Sequence, residues 1–166
     1  MPTNKNSCGL GAKPFVAIAF AAVALCLTAA SGDQVNAHIS EEQFRQLLQR
    51  VADGWNEGDA AKAVGCFTQD AVYIEPPDRQ VYRGRAALFE FFGGDKKPEP
   101  PMRMTWHHVG FNAGEQIGFG EYTFQMNRRY HGVVVVRVRG GKIANWREYQ
   151  YESALSWEDF TAKNPF

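Results

Sequence analysis

Glu148 and Glu75 are the side chains of this protein best suited to acid–base chemistry. Glu148 stands two residues beyond Trp146 in a run of strand character, so the two share one face. Glu75 closes the short run Ala71–Glu75, just before Pro76-Pro77. A carboxyl group set against an apolar interior loses hydration, and full burial raises its pKa by up to about 3–5 units. It then titrates near neutrality, where a general acid or base works best. Glu121 is a third candidate of the same kind. The competing assignment for each is a solvent-facing carboxylate, paired across a sheet with Arg137 or Arg147.

Aromatic side chains offer the walls that such a site needs. Trp55, Tyr73, Trp106, Tyr122 and Trp146 can line a cavity, although rings of this size more often fill a core. His107 and His108 are neighbours on a strand and are expected on opposite faces. One of them, taken here as His108, then reaches the pocket, against the commoner role of a hydrogen-bonded structural histidine. A pair split between faces cannot hold one ion. With no His-Glu-x-x-His helix and no paired cysteines, neither a metal nor another cofactor is expected.

The elements that must position these groups can be read from the hydrophobic pattern. Gly132–Glu152 reads as two long antiparallel strands joined by a tight turn at Gly140-Gly141. Within the second, Ala144, Trp146, Glu148, Gln150 and Glu152 are expected to point inward, and Ile143, Asn145, Arg147, Tyr149 and Tyr151 outward. Earlier, Ser40-Glu41-Glu42-Gln43 forms a capping box ahead of an apolar stripe of Phe44, Leu47, Leu48, Val51 and Trp55. Asp59 caps a second helix with Ala63, Val64 and Phe67 on its inner face, and Gly84–Phe92 forms a third. Ala71–Glu75 and Gln80–Arg83 are short strands, and Met102–Phe111 and Gln116–Met126 longer ones. Helices first and a meander after predict an α+β fold, with three N-terminal helices packed on one face of a curved antiparallel sheet.

Bulk properties set the remaining limits. The 166 residues carry no formal net charge, so nothing in the charge balance calls for nucleic acid or an anionic membrane. Lys5 and Lys13 precede the apolar stretch Phe15–Ala30, which ends in small residues and is short of the about 20 needed to span a bilayer. Residues 1–30 therefore read as a signal peptide, 31–37 as a tether and 38–166 as the folded domain. The expected location is secreted or periplasmic without stable membrane insertion; an uncleaved membrane anchor is the alternative. Beyond the leader only Cys66 remains, so the fold must stand without an internal disulfide.

The order of elements, with Glu57-Gly58-Asp59 between the first helices, Tyr82-Arg83-Gly84-Arg85 opening the third, and Trp146-Arg147-Glu148-Tyr149 in the last strand, resembles the nuclear transport factor 2-like superfamily. The SnoaL-like branch, with polyketide cyclases and limonene-epoxide hydrolases, is the nearest match. The resemblance implies a cone with an apolar pocket and favours the inward placement of Glu148, where the hydrolases carry a catalytic carboxylate. Tyr73 and Glu75 fall where those enzymes hold the attacking water with Tyr and Asn. No arginine stands beside Glu121 or Tyr122, where they place an Arg-x-Asp pair. Ketosteroid isomerase, a more distant relative, would place its base at Glu75, but its two oxyanion donors would fall near Val51 and Val134.

Two expectations about partners follow. The first is a small apolar molecule in the pocket, handled by Glu148, Glu75 and Tyr73 and contacted by Trp146, Trp55, Trp106, Glu121, Tyr122 and His108. A cofactor-free hydrolase, isomerase or cyclase is one outcome; non-catalytic binding or a dimeric interaction module is the other. The second is a homodimer. Val134, Val136 and Val138 point one way and Val133 and Val135 the other, with no helix evident to cover the outer set. A buried valine is worth roughly 1.5–3 kcal/mol, which favours pairing through that face.

Overall fold

The computed structural model describes residues 38–76, 79–96 and 102–165. The expected leader and tether lie outside the described residues. Helix α1 spans Glu41–Glu57 and starts as its sequence dictates. The Ser40 hydroxyl accepts from the Gln43 amide at 3.2 Å, and the Gln43 side chain accepts from the Ser40 amide at 2.8 Å. Phe44, Leu47, Leu48 and Val51 form its buried stripe. Gly58, at φ 64°, ends the helix, and Asp59 caps the short α2, Ala60–Gly65.

Phe67 corrects the sequence reading. It opens strand β1, Phe67–Glu75, and does not belong to the face of α2. The Ile143 amide donates to the Cys66 carbonyl at 2.9 Å, which draws the chain into the sheet directly after α2. After β1 come β2 (Gln80–Arg83), α3 (Gly84–Phe91), β3 (Arg103–Asn112), β4 (Ile117–Gln125), β5 (Arg129–Arg139), β6 (Lys142–Glu152) and α4 (Trp157–Thr161). Strand order is β2-β1-β6-β5-β4-β3. All junctions are antiparallel except β1–β6, which is parallel, a feature that alternation cannot reveal.

Helices α1 to α3 pack on the concave side of this open, curved sheet, so the expected α+β architecture holds. Val134, Val136, Val138 and Trp146 face them, and Leu88 of α3 is fully buried. Three register shifts bend the sheet. One, between Arg137 and Val138 of β5, turns both Ile143 and Ala144 inward, so Ile143 is buried where strict alternation put it outside. The β5–β6 turn uses Gly140 and Gly141, both at positive φ (57° and 74°).

The outer face is not bare. Ser156 caps α4, and Trp157 and Phe160 lie against His107 and His131 on the convex side, covering one end of the sheet. The expectation that no helix reaches this face is corrected there. Farther along, Val133 and Val135 stay half-buried, and Phe119 and Tyr149 are each 47 % exposed.

Candidate functional site

Between the helices and the concave face lies a cavity of about 280 Å³. Its apolar wall is built by Trp55 of α1, Phe91 of α3, Met102 and Met104 at the start of β3, and Phe124 and Met126 at the end of β4. Its polar wall is Tyr73 of β1, Gln80 of β2, Tyr122 of β4, Tyr130 of β5, and Glu148 and Gln150 of β6. Glu148 is 5 % exposed. The sheet puts it here by pairing Val134 with Glu148 and Val136 with Trp146, so that the inward faces of β5 and β6 coincide.

Glu148 is held from several sides. Its Oε2 accepts from the Trp146 indole N–H at 3.1 Å and from the Tyr122 hydroxyl at 3.4 Å. Tyr73 stacks on Trp146 with the rings 9° from parallel. Burial pushes the Glu148 carboxyl above the usual carboxylate range and outweighs the Tyr73, Trp146 and Tyr122 hydrogen-bond donors that favour its ionised form; the Glu75 charge adds to the rise. Burial and the neighbouring Glu148 likewise raise the Tyr73 and Tyr122 hydroxyls, which stay protonated donors. The Trp146 and Tyr122 bonds both fall on Oε2.

A relay joins the two best carboxylate candidates. Gln150 Nε2 donates to Glu75 Oε2 at 3.1 Å, which leaves the Gln150 carbonyl oxygen to accept from Tyr122 at 3.4 Å. Tyr122 thus has one proton and two acceptors, Gln150 and Glu148. Glu75 is buried, 7 % exposed, behind Gln150 and does not itself line the cavity.

Of the residues expected at the site, Glu148, Tyr73, Trp55 and Tyr122 line the cavity. Trp146 backs Glu148 from the core. Trp106 packs edge-on against Tyr122 and Trp146, and its indole is committed to the Leu48 carbonyl at 2.9 Å, so it supports the wall without forming it. Glu121 and His108 do not come to the pocket. They lie on the outer face, bonded to each other at 2.7 Å. Glu121 adjoins the inward Tyr122 and must point away from it. For His108 the cause is the bulge between Trp106 and Val109, which sets both histidines opposite Glu121 and turns both outward. The expected split of His107 and His108 between faces is corrected by the same bulge.

Gln150, Gln80, Tyr130 and the three methionines were not singled out from sequence. Gln150 could have been, because alternation already put it on the Glu148 face. The methionines carry no signal beyond strand parity at Met102 and Met104. No group of histidine, cysteine or acidic side chains among the described residues could hold a metal ion.

A comparison with protein families matches residues 48–146 to the SnoaL-like domain. Among solved structures, a protein of unknown function with a cystatin-like fold from Methylobium petroleophilum PM1 is similar at TM-score 0.63 and 18 % identity, covering 78 % of this chain and 95 % of that one. The epoxide hydrolase/cyclase-like enzyme SalBIII, of pyran ring formation in polyether salinomycin, is similar at TM-score 0.58 and 21 % identity, covering 68 % and 93 %. An LEH-like epoxide hydrolase from M. tuberculosis gives TM-score 0.56 and 14 % identity over 67 % and 84 %. At these identities the structural likeness establishes the fold alone. No curated protein sequence matches the chain. The family match, which runs from within α1 through α2, α3 and the strands that carry Tyr73 and Tyr122 to Trp146, shows that the chain belongs to the SnoaL-like domain family of the nuclear transport factor 2-like fold.

Proposed function

We propose that the concave cavity takes a small, largely apolar molecule with an oxygen acceptor at one end, and that Glu148 exchanges a proton with that oxygen. The observation that carries this reading is one buried carboxyl, raised above its usual range, at the polar end of a pocket otherwise walled by methionine and aromatic side chains. Neutral Glu148 donates its proton, the Trp146 and Tyr122 donors steady the carboxylate that is left, and the Gln150–Glu75 pair holds Tyr122 in place. A hydrolase, isomerase or cyclase step needs no cofactor in this arrangement. The epoxide hydrolase/cyclase-like and LEH-like epoxide hydrolase neighbours support the same broad class. The missing arginine and the changed Tyr73/Glu75 pair argue that the substrate differs from theirs. The test is native mass spectrometry of the purified protein, followed by turnover assays on the molecule retained. A Glu148→Gln variant that keeps full turnover would end the catalytic reading.

A non-catalytic carrier is the second reading. It is favoured by the hydrogen bonds already placed on Glu148 Oε2, which fix that group as a wall. Retention of a molecule that the protein never converts would select it. We also propose export after removal of residues 1–30, checked by mass spectrometry of the mature N-terminus. Self-association through Val133, Val135, Phe119 and Tyr149 completes the reading; a monomer by light scattering at micromolar concentration would remove it.

A further inference from the structure

The convex side carries a second polar network, outside the cavity and unconnected with the proposed reaction. His107 Nε2 lies 2.8 Å from Thr123 Oγ1, Thr123 Oγ1 lies 2.9 Å from His131 Nδ1, and His131 Nε2 lies 3.0 Å from the Leu155 carbonyl oxygen. A carbonyl only accepts, so His131 carries its proton on Nε2, and its neutral Nδ1 is an acceptor. The Thr123 hydroxyl therefore donates to His131, and His107 Nε2–H donates to Thr123. Three donors meet three acceptors in one direction, ending on the backbone of the C-terminal segment.

That segment is otherwise held at the surface, by ring contacts, by Arg129 and by one backbone bond from the Ser153 amide to the Arg129 carbonyl at 3.0 Å. No residue of α4 is buried. Trp157 stacks on His107 at 3.9 Å with the rings 5° from parallel, and Phe160 covers His131 at 4.4 Å. Arg129 adds bonds to the Ala154 and Leu155 carbonyls at 3.1 and 2.9 Å. The geometry points to a proton-operated latch: His107, Thr123 and His131 pin Ser153–Asn164 to the outer sheet face while both rings are neutral, and release it when both are charged.

One extra proton can be absorbed. His131 Nδ1–H then donates to Thr123, the hydroxyl turns to His107, and the His107 proton moves to its Nδ1. A second proton puts two imidazolium rings across a single hydroxyl whose own hydrogen has lost its acceptor. The surrounding charges come from every packed element. His108 of β3 opposes a charged His107, while Glu121 of β4 and Glu158 of α4 favour it. Arg129 of β5 and Asp159 of α4 flank the same end of the sheet. Stacking on Trp157 also favours the cation. Burial with His131 and His108 prevails, and the His107 ring is held below its ordinary value. A histidine with a depressed folded value contributes stability that is complete above the ordinary histidine range and is lost as pH falls through it. The latch therefore opens in mild acid.

The test is amide hydrogen exchange on the protein at pH 7.5 and pH 5.0, read as protection factors. The Phe160 amide, bonded to the Ser156 carbonyl at 2.9 Å, should lose at least about tenfold in protection at pH 5.0, while Val134 and Val136 in the sheet keep theirs. A His107→Phe variant keeps the stack on Trp157 without a titrating ring and should lose most of that pH response. Equal Phe160 protection at both pH values in the unmodified protein would overturn the proposal, whether or not the variant folds. An acid response undiminished in a folded His107→Phe protein would overturn it as well.

Discussion

The concave and convex faces of the same three strands carry opposite chemistries one residue apart. Trp106, Tyr122 and Tyr130 turn toward the cavity side; His107, Thr123 and His131 turn toward α4. On the inner face burial lifts the Glu148 carboxyl, and on the outer face burial lowers the His107 ring. Both shifts favour the neutral form, because desolvation penalises charge of either sign. Their consequences for stability run in opposite directions. Glu148, with its folded value raised, contributes stability that is complete below the ordinary carboxylate range and is lost as pH rises through the raised value. His107 contributes above the ordinary histidine range and loses it as pH falls. In the proposed reaction the inner group gives its proton to a bound molecule, while the outer ring gives its hydrogen bond to the chain itself.

Replacing Glu148 with Gln should have the largest effect on this comparison. Turnover of the retained molecule is expected to fall by about 10²–10⁴-fold, the range that a positioned acid or base supplies. The amide keeps the shape of the carboxyl but removes the buried titration. Thermal stability should therefore hold at pH 5 and rise at pH 8 relative to the unmodified protein, in parallel melting curves. Loss of the fold at both pH values would make Glu148 a structural residue.

Tyr122→Phe comes next. It removes one donor from Glu148 and leaves the Gln150 carbonyl oxygen without its partner, a cost of about 1–3 kcal/mol by chemical denaturation. Because that hydroxyl favours the ionised carboxyl, its loss should move the Glu148 titration further upward, as followed by carbon NMR of the labelled carboxyl. A downward move would show that Tyr122 does not reach Glu148 in solution. Gly132→Ala tests the same contact from behind. A Cβ at Gly132 would sit 2.6 Å from the Tyr149 carbonyl oxygen and 2.8 Å from the Tyr122 ring carbon and hydroxyl. Overpacking of this kind costs about 1–3 kcal/mol and should push Tyr122 off Glu148, with a smaller loss of turnover than Glu148→Gln gives.

How far these faces were legible in sequence depended on whether one local rule governed them. Ser40 with Gln43, and Gly140 with Gly141, are set by local geometry, and the helix start and the hairpin stand where those residues put them. Glu148 followed from alternation along β6, supported by Val134 and Val136 opposite Glu148 and Trp146. Ile143 and His108 did not, because each adjoins a bulge, and one extra residue reverses a face without leaving a mark in composition. Phe67 was lost to a different cause: its strand exists through long-range pairing with Ile143, 76 positions away, which no window of sequence contains. The cavity's methionine wall is hardest to read, since Met102, Met104 and Met126 meet only once β3 and β4 are folded over α1 and α3.

The smallest expected effect falls on Glu121, and it sharpens the comparison most. Sequence alone made Glu121 and Glu148 candidates of one class, both strand carboxylates near aromatic rings. Glu121 instead faces outward and shares a 2.7 Å contact with His108, with 28 % and 44 % of the two side chains exposed. A contact at that exposure is worth at most about 1 kcal/mol. Glu121→Gln should therefore leave turnover and ligand retention within about twofold of the unmodified protein, well inside the effect of one positioned acid or base. Its mark should appear on the other face, because Glu121 favours a charged His107 and its removal lowers that ring further. Loss of Phe160 protection at pH 5.0 should then be larger, because the gap between the folded and the ordinary histidine value widens. A Glu121→Gln protein that loses turnover as Glu148→Gln does would mean that the two faces are not chemically separate.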